Sequence, residues 1–186
     1  WGAIKYLNPD NVLHDAVVRY GGLGRVHYDW GTRYVNKQMV WVASGSQAGQ
    51  LEIRDNVVEH AWQKAIYTQS GQSNIHDNTL RDNPWGIYSK QGGDLVHNNV
   101  ISSASHTAIY SNGGIVQENL INDSAFALYQ GSDAASTYEE NTFVNIENRV
   151  IQVSGTLSGD FVWDDVQGMG WPYLVVGNVT GPEGAT

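Results

Sequence analysis

The chain of 186 residues has no cysteine, which excludes disulfides, thiolate metal ligands and cysteine nucleophiles and leaves the redox compartment open. Positive charge is scarce. Ten Lys and Arg stand against nineteen Asp and Glu, for a formal net charge of −9. So acidic a chain has no basic face with which to wrap nucleic acid or settle on anionic lipid. No apolar run reaches the roughly 18 residues of a membrane span, so membrane insertion is not expected, and no signal peptide is legible. Charged residues of either sign make up only 16% of the chain, too few for long amphipathic helices, whereas its 21 glycines favour short strands joined by turns. Glycine-rich phosphate loops, Gly-x-Ser-x-Gly elbows and His-Glu-x-x-His helices are missing.

What is present is a repeat. Ile53-Arg54-Asp55-Asn56-Val57-Val58, Ile75-His76-Asp77-Asn78-Thr79-Leu80, Val96-His97-Asn98-Asn99-Val100-Ile101, Val116-Gln117-Glu118-Asn119-Leu120-Ile121 and Tyr138-Glu139-Glu140-Asn141-Thr142-Phe143 align without gaps. Their asparagines, Asn56, Asn78, Asn99, Asn119 and Asn141, are spaced by 22, 21, 20 and 22 residues. Weaker copies lie at Leu13–Val18 and Val162–Val166. A second register runs between them, with Trp41, Tyr67, Tyr88, Tyr110 and Tyr129 in equivalent places.

Periods of this length mean stacked units. None of the segments holds ten residues at helical period, so the unit is a coil of two or three short strands, each pairing with its copy one coil later at roughly 4.8 Å. The expected fold is all-β: a single-stranded parallel β-helix of about 22 residues per coil and about seven to eight coils. Ile53, Ile75, Val96, Val116 and Tyr138 should face inward, with Val58, Leu80, Ile101, Ile121 and Phe143. The asparagines form a structural ladder at a bend, each amide donating to one neighbour and accepting from the next.

In these motifs the chain resembles the right-handed parallel β-helix superfamily of pectate-lyase-like solenoids, and most closely the bacterial surface β-helix repeat proteins. The superfamily also includes alginate epimerases. The opening Trp1-Gly2-Ala3-Ile4 with Val17–Gly22 is similar to a pattern found midway through such domains, and Tyr173–Thr186 resembles the segment that opens one. The resemblance implies one β-helix domain over residues 1–186, a fragment or one unit of a longer protein, with 167–186 leading towards a following unit. It also implies an extracellular or cell-surface location.

Three surface features invite a functional reading, each beside a structural one. The column Trp41, Tyr67, Tyr88, Tyr110 and Tyr129 should point outward, as a stabilising ladder or as a platform for sugar rings or a partner protein. A second outward column holds His14, Arg54, His76, His97, Gln117 and Glu139. If the protein were an enzyme, Arg54, His76 and His97 are its candidate catalytic residues, because lyases and epimerases of uronic acids need a base and a cation for the carboxylate. Solvated filler is the plainer reading of the column, and histidines one coil apart are also a candidate metal pair, although the carboxylate of the same column, Glu139, lies two coils beyond His97. The one break in period, an inserted loop over residues 23–38, carries Arg25, Trp30 and Arg33 and reads either as a binding loop or as cover for a strand edge. Only 40 residues separate Leu13 from Ile53, where two whole coils would take about 44.

Asp55, Asp77, Asp82, Asp94 and Asp123 are read as turn residues, and Lys64 and Lys90 as solvated charges. No cofactor is expected, calcium being the one cation that turn carboxylates would suit. The leading expectation is a non-catalytic structural or adhesive segment that binds glycan or self-associates laterally or end to end, with polysaccharide or a surface protein as partner. The alternatives are a polysaccharide lyase or uronate C5-epimerase, and a carbohydrate-binding module.

Overall fold

A computed structural model describes residues 2–6, 11–22, 24–28, 31–36, 38–42, 51–69, 72–131, 134–156 and 164–181, with backbone alone for 24–28 and 31–36. The chain is a parallel β-helix. Each coil runs through a three-residue strand, a sharp corner, another three-residue strand, a second corner and a strand of five or more residues, so that three parallel sheets wrap one core.

The long sheet has eight strands: Ile4–Tyr6, Gln38–Val42, Lys64–Thr68, Trp85–Ser89, Thr107–Ser111, Phe126–Gly131, Asn148–Thr156 and Tyr173–Thr180. The second sheet holds Val12–His14, Glu52–Arg54, Asn74–His76, Leu95–His97, Ile115–Gln117 and Thr137–Glu139. The third holds Val17–Arg19, Val57–Glu59, Thr79–Arg81, Val100–Ser102, Leu120–Asn122 and Thr142–Val144.

The second and third sheets each have six strands, so the described chain makes about six coils rather than seven or eight. One source of the difference lies near the start of the chain. Leu13 pairs directly with Ile53, so the 40 residues between them make a single enlarged coil and not nearly two. The extra length is a β-hairpin, Gly24–Tyr28 antiparallel to Gly31–Asn36, where the sequence pattern had implied only a loop.

Alternation sets the core. In each short strand the central residue turns inward, and Ile53, Ile75, Val96, Val116, Val58, Leu80 and Ile121 are fully buried. Burial of each such side chain contributes roughly 1.5–3 kcal/mol. Tyr138 and Phe143, in the last complete coil, are only half-buried, and the Tyr138 hydroxyl donates to Gln130 Oε1 at 2.8 Å. The long strands add Ile66, Ile87, Ile109 and Leu128, preceded by Ala65, Gly86, Ala108 and Ala127. Space at that preceding position is short: a Cβ on Gly86 would lie 2.5 Å from the Ala108 carbonyl oxygen.

The asparagine file stands where the repeat placed it. Asn99 is representative: its Nδ2 donates towards Ile75 O, His97 O and Asn119 Oδ1, each at 2.9 Å. Its Oδ1 accepts from Asn78 N at 3.1 Å and Asn78 Nδ2 at 3.0 Å. The residue before each ladder position (Asp15, Asp55, Asp77, Asn98, Glu118, Glu140) is left-handed, with φ from 52° to 56°. That backbone kink turns the chain between sheets and leaves amides that no strand pairs, which the asparagines satisfy.

At the far end the ladder continues through Gln167, not Asp165 as the weak copy at 162–166 implied. Gln167 Oε1 accepts from Asn141 N and Nδ2 at 3.1 and 2.7 Å, while its Nε2 donates to Asn141 O at 3.0 Å. An amide both gives and takes hydrogen bonds; a carboxylate only takes. The 3₁₀ turn Val166–Gly168 positions it.

Candidate functional site

The outer face of the long sheet carries the aromatic column. Trp41 pairs with Tyr67, Tyr67 with Tyr88, Tyr88 with Tyr110 and Tyr110 with Tyr129 in strict register, all half-exposed. Inward neighbours force this orientation, since Ile66 and Thr68 on either side of Tyr67 are buried. Tyr88 and Tyr110 lie face to face, centroids 4.0 Å apart and planes 8° from parallel. Tyr67 and Tyr129 meet this pair edge-on, at 69° and 67°.

The sequence reading missed a second row on the same face. Trp85 stacks on His106 at 4.1 Å and approaches Tyr88 at 5.3 Å and Tyr129 at 6.0 Å, and Phe126 lies 6.5 Å from His106. Its only sequence signal is that Trp85 and Phe126 open their strands at matching places. Lys64 is not a merely solvated charge: its Nζ stands 5.3 and 4.7 Å over the Tyr67 and Tyr88 rings. Lys5 Nζ sits 4.3 Å over Trp41, whose Nε1 donates to Gln69 Oε1 at 2.9 Å. Burial raises the pKa of Tyr67 and of Tyr88, so these hydroxyls stay protonated at neutral pH. Burial and the Lys64 charge lower the pKa of His106.

On the second sheet, His76 and His97 stack with centroids 4.8 Å apart and planes 12° from parallel. The carboxylates that meet His76 are not Glu139 but Asp77, whose Oδ2 lies 2.6 Å from Nδ1, and Glu52 of the adjoining column, whose Oε1 lies 3.0 Å from Nε2. Burial lowers the His76 pKa, but the hydrogen bonds to Asp77 and Glu52 outweigh it and hold it above the ordinary histidine value. His97 Nε2 faces Asn74 Oδ1 at 3.0 Å, and burial with the neighbouring His76 charge lowers its pKa. Arg54 donates to Asp55 at 2.6 Å and lies 3.5 Å from Glu52. The three candidate catalytic residues therefore share one face, but both ring nitrogens of His76 are committed to carboxylates. His14 likewise meets Asp15, at 2.6 Å.

Two carboxylates stand apart from the expected turn positions. Asp55, Asp77, Asp82 and Asp123 do occupy left-handed corners. Asp94 does not: it is inside, 1% exposed, with Oδ2 accepting from Thr68 Oγ1 at 2.5 Å and Ser89 Oγ at 2.6 Å, and Oδ1 from Ser73 N at 2.8 Å. Burial raises its pKa. Composition around a turn cannot tell an inward Asp from an outward one. Glu59 is buried between Arg19 and Arg81, and the Arg81 hydrogen bond leads the effects that lower its pKa. Of the hairpin residues, Trp30 and the side chains of Arg25 and Arg33 lie outside the described residues.

These features define a ladder-stabilised parallel β-helix with an aromatic outer face. Residues 10–179 match the model of the family described as periplasmic copper-binding protein (NosD), and the chain belongs to that family. A comparison with curated proteins finds no match, and one with solved structures finds none either. No helix among the described residues is long and apolar enough to cross a membrane.

The copper in the family's description finds no donor set among the described residues, where no three His, Cys, Asp or Glu side chains converge. Sulfur ligands are limited to two methionines, Met39 fully buried and Met169 packed against the core. Imidazole lone pairs lie in the ring plane, so two parallel rings 4.8 Å apart cannot both reach one ion at about 2 Å. The residues described here do not fit copper.

Proposed function

We propose that this chain is a non-catalytic ligand-binding scaffold of the cell exterior, and that the aromatic face of its long sheet contacts glycan. The observation that supports this is the unbroken file of outward rings across five coils, joined by Trp85, His106 and Phe126 and overlain by Lys5 and Lys64. Half-exposed rings offer apolar edges and hydroxyls to sugar C–H and O–H groups, while ammonium groups donate to sugar oxygens. The Tyr88–Tyr110 pair spends its faces on itself and stiffens the surface; Trp41 and Tyr67 present faces that the two lysines now cover. Rigid rings lose little entropy on binding. Adhesion to polysaccharide or to a surface protein follows as the class of role, and association between copies is a lesser one.

The test is affinity electrophoresis through gels containing neutral or acidic polysaccharides, with calcium supplied and withheld. Retardation of the wild type that is lost in Tyr67→Ala/Tyr129→Ala, and kept in His97→Ala on the second sheet, supports the assignment. No retardation by any glycan, or retardation that survives loss of both tyrosines, refutes it. Retardation only when calcium is present would add that cation to the site.

A further inference from the structure

We infer that the corner between the third and long sheets, at the last complete coil, is a binding site for a carboxylate carried on a ring, independent of the glycan-binding face. The strand pairing of the long sheet breaks at this coil. Through successive coils the position before the core isoleucine or leucine of the long sheet holds Met39, Ala65, Gly86, Ala108 and Ala127, all buried. In the next coil Phe126 pairs with Asn148 but Leu128 pairs with Ile151, so two residues, Arg149 and Val150, stand opposite Ala127 alone. This is a β-bulge. An extra residue bends the strand and re-aims a side chain. Here it turns Arg149 out of a wall that from Ala65 to Ala127 holds nothing larger than a methyl group, and leaves it exposed.

Arg149 arrives at a cavity of about 300 Å³ lined by Phe143, Asn145, Ile146, Arg149, Met169 and Trp171. The capping segment builds the far wall: Trp171 meets Phe143 with ring centroids 5.2 Å apart, and Met169 and Trp171 pack on the core cluster. Among the described residues, Arg19, Arg54 and Arg81 are all in ion pairs; Arg149 alone has neither an ion pair nor a hydrogen bond. The nearest acid in sequence, Glu147, lines the neighbouring groove with Asp123 and Ser103 rather than this cavity. In a chain of net charge −9, a guanidinium without a carboxylate is set against the general field.

The lining defines the ligand. A planar guanidinium binds a carboxylate through two parallel hydrogen bonds. The indole, phenyl and thioether walls accept a flat or apolar body, and the Asn145 amide, which already donates to Asp123 Oδ1 at 3.1 Å, has an oxygen for a ligand hydroxyl. A sugar acid and an aromatic acid share this chemistry.

The experiment is isothermal titration of the intact chain with sodium glucuronate and sodium benzoate, with glucose and benzyl alcohol as uncharged counterparts. One carboxylate or both should bind at a 1:1 ratio and weaken with added salt, while the uncharged molecules give no saturable heat. The tighter acid names the source. Arg149→Met should weaken binding about tenfold or more, Arg149→Lys should restore part of it, and Trp171→Leu should weaken it with circular dichroism unchanged. Absence of saturable binding by both acids, equal binding by Arg149→Met, or equal binding of the uncharged counterparts overturns the inference. None of these outcomes bears on Tyr67 or Tyr129, so this site and the aromatic face stand or fall separately.

Discussion

Replacing Asn99 by alanine tests the ladder where it is most enclosed. The amide is 1% exposed and takes part in five contacts of 2.9–3.1 Å. Some partners retain alternatives. Asn78 Nδ2 still donates to Ile53 O and His76 O, both at 2.8 Å, and Asn119 Oδ1 retains the Asn99 backbone amide at 3.0 Å. One group is stranded inside the corner, the Asn78 backbone N–H, and the Ile75 carbonyl loses one of its donors. At about 1–3 kcal/mol for a buried unsatisfied group and about 1 kcal/mol for a lost hydrogen bond, Asn99→Ala costs about 2–4 kcal/mol. The control is Asn98→Ala, one residue away and exposed. It loses only the tolerance of asparagine for a φ of 53°, costing about 1–2 kcal/mol. Urea unfolding followed by circular dichroism gives both values. Since a solenoid can open one coil at a time, hydrogen exchange at the Asn78 amide provides a local check. If Asn99→Ala is no worse than Asn98→Ala, and the Asn78 amide keeps its protection, the ladder is not what holds the corners.

Other predictions follow from the same geometry. Asp94 has its pKa raised by burial, so the stability it contributes is complete below the ordinary aspartate value of about 3.9 and is lost as pH rises through the folded value. Asp94→Asn should therefore flatten the decline in stability from acid to neutral pH in urea titrations; an unchanged slope would show that the carboxyl is not the group titrating. Gln167→Ala, at the solvent end of the ladder, should cost about 1 kcal/mol and expose the Asn141 amide to exchange before any other ladder position; protection equal to wild type would mean that the file ends at Asn141. Titration with Cu(II) should give no nitrogen-coordinated paramagnetic signal that depends on His76 or His97, and a 1:1 signal abolished by His76→Ala would contradict the donor geometry described for the second sheet.

Much of the fold was legible because stacking makes its demands periodic. A corner that needs an amide needs it once per coil, so Asn56, Asn78, Asn99, Asn119 and Asn141 declare the coil length, and the residues three before and two after declare the core. The outward aromatic file was legible for the same reason. Features that occur once left no period to read. The Arg149 bulge, the Gln167 cap and the interior Asp94 depend on one residue's direction, which composition near a turn does not encode. The hairpin at Gly24–Asn36 misled the coil count because an insertion of nearly one coil's length mimics a degenerate repeat. On the second sheet, Arg54, His76 and His97 were correctly placed on one face, but Glu52, which engages His76, belongs to a different column and is found only by pairing the strands.

All the sites rest on which strand lies beside which, and the absence of native cysteine makes that directly measurable by cross-linking. His76 and His97 are paired residues on neighbouring coils, whereas Gln117 is two coils from His76. Adjacent parallel strands about 4.8 Å apart lie within the 4.4–6.8 Å Cα range of a disulfide, and twice that spacing lies outside it. His76→Cys/His97→Cys should oxidise to an intramolecular disulfide with native circular dichroism, and His76→Cys/Gln117→Cys should remain reduced under the same conditions. A disulfide in the second pair but not the first would contradict the register on which the ladder, the aromatic face and the Arg149 cavity all depend.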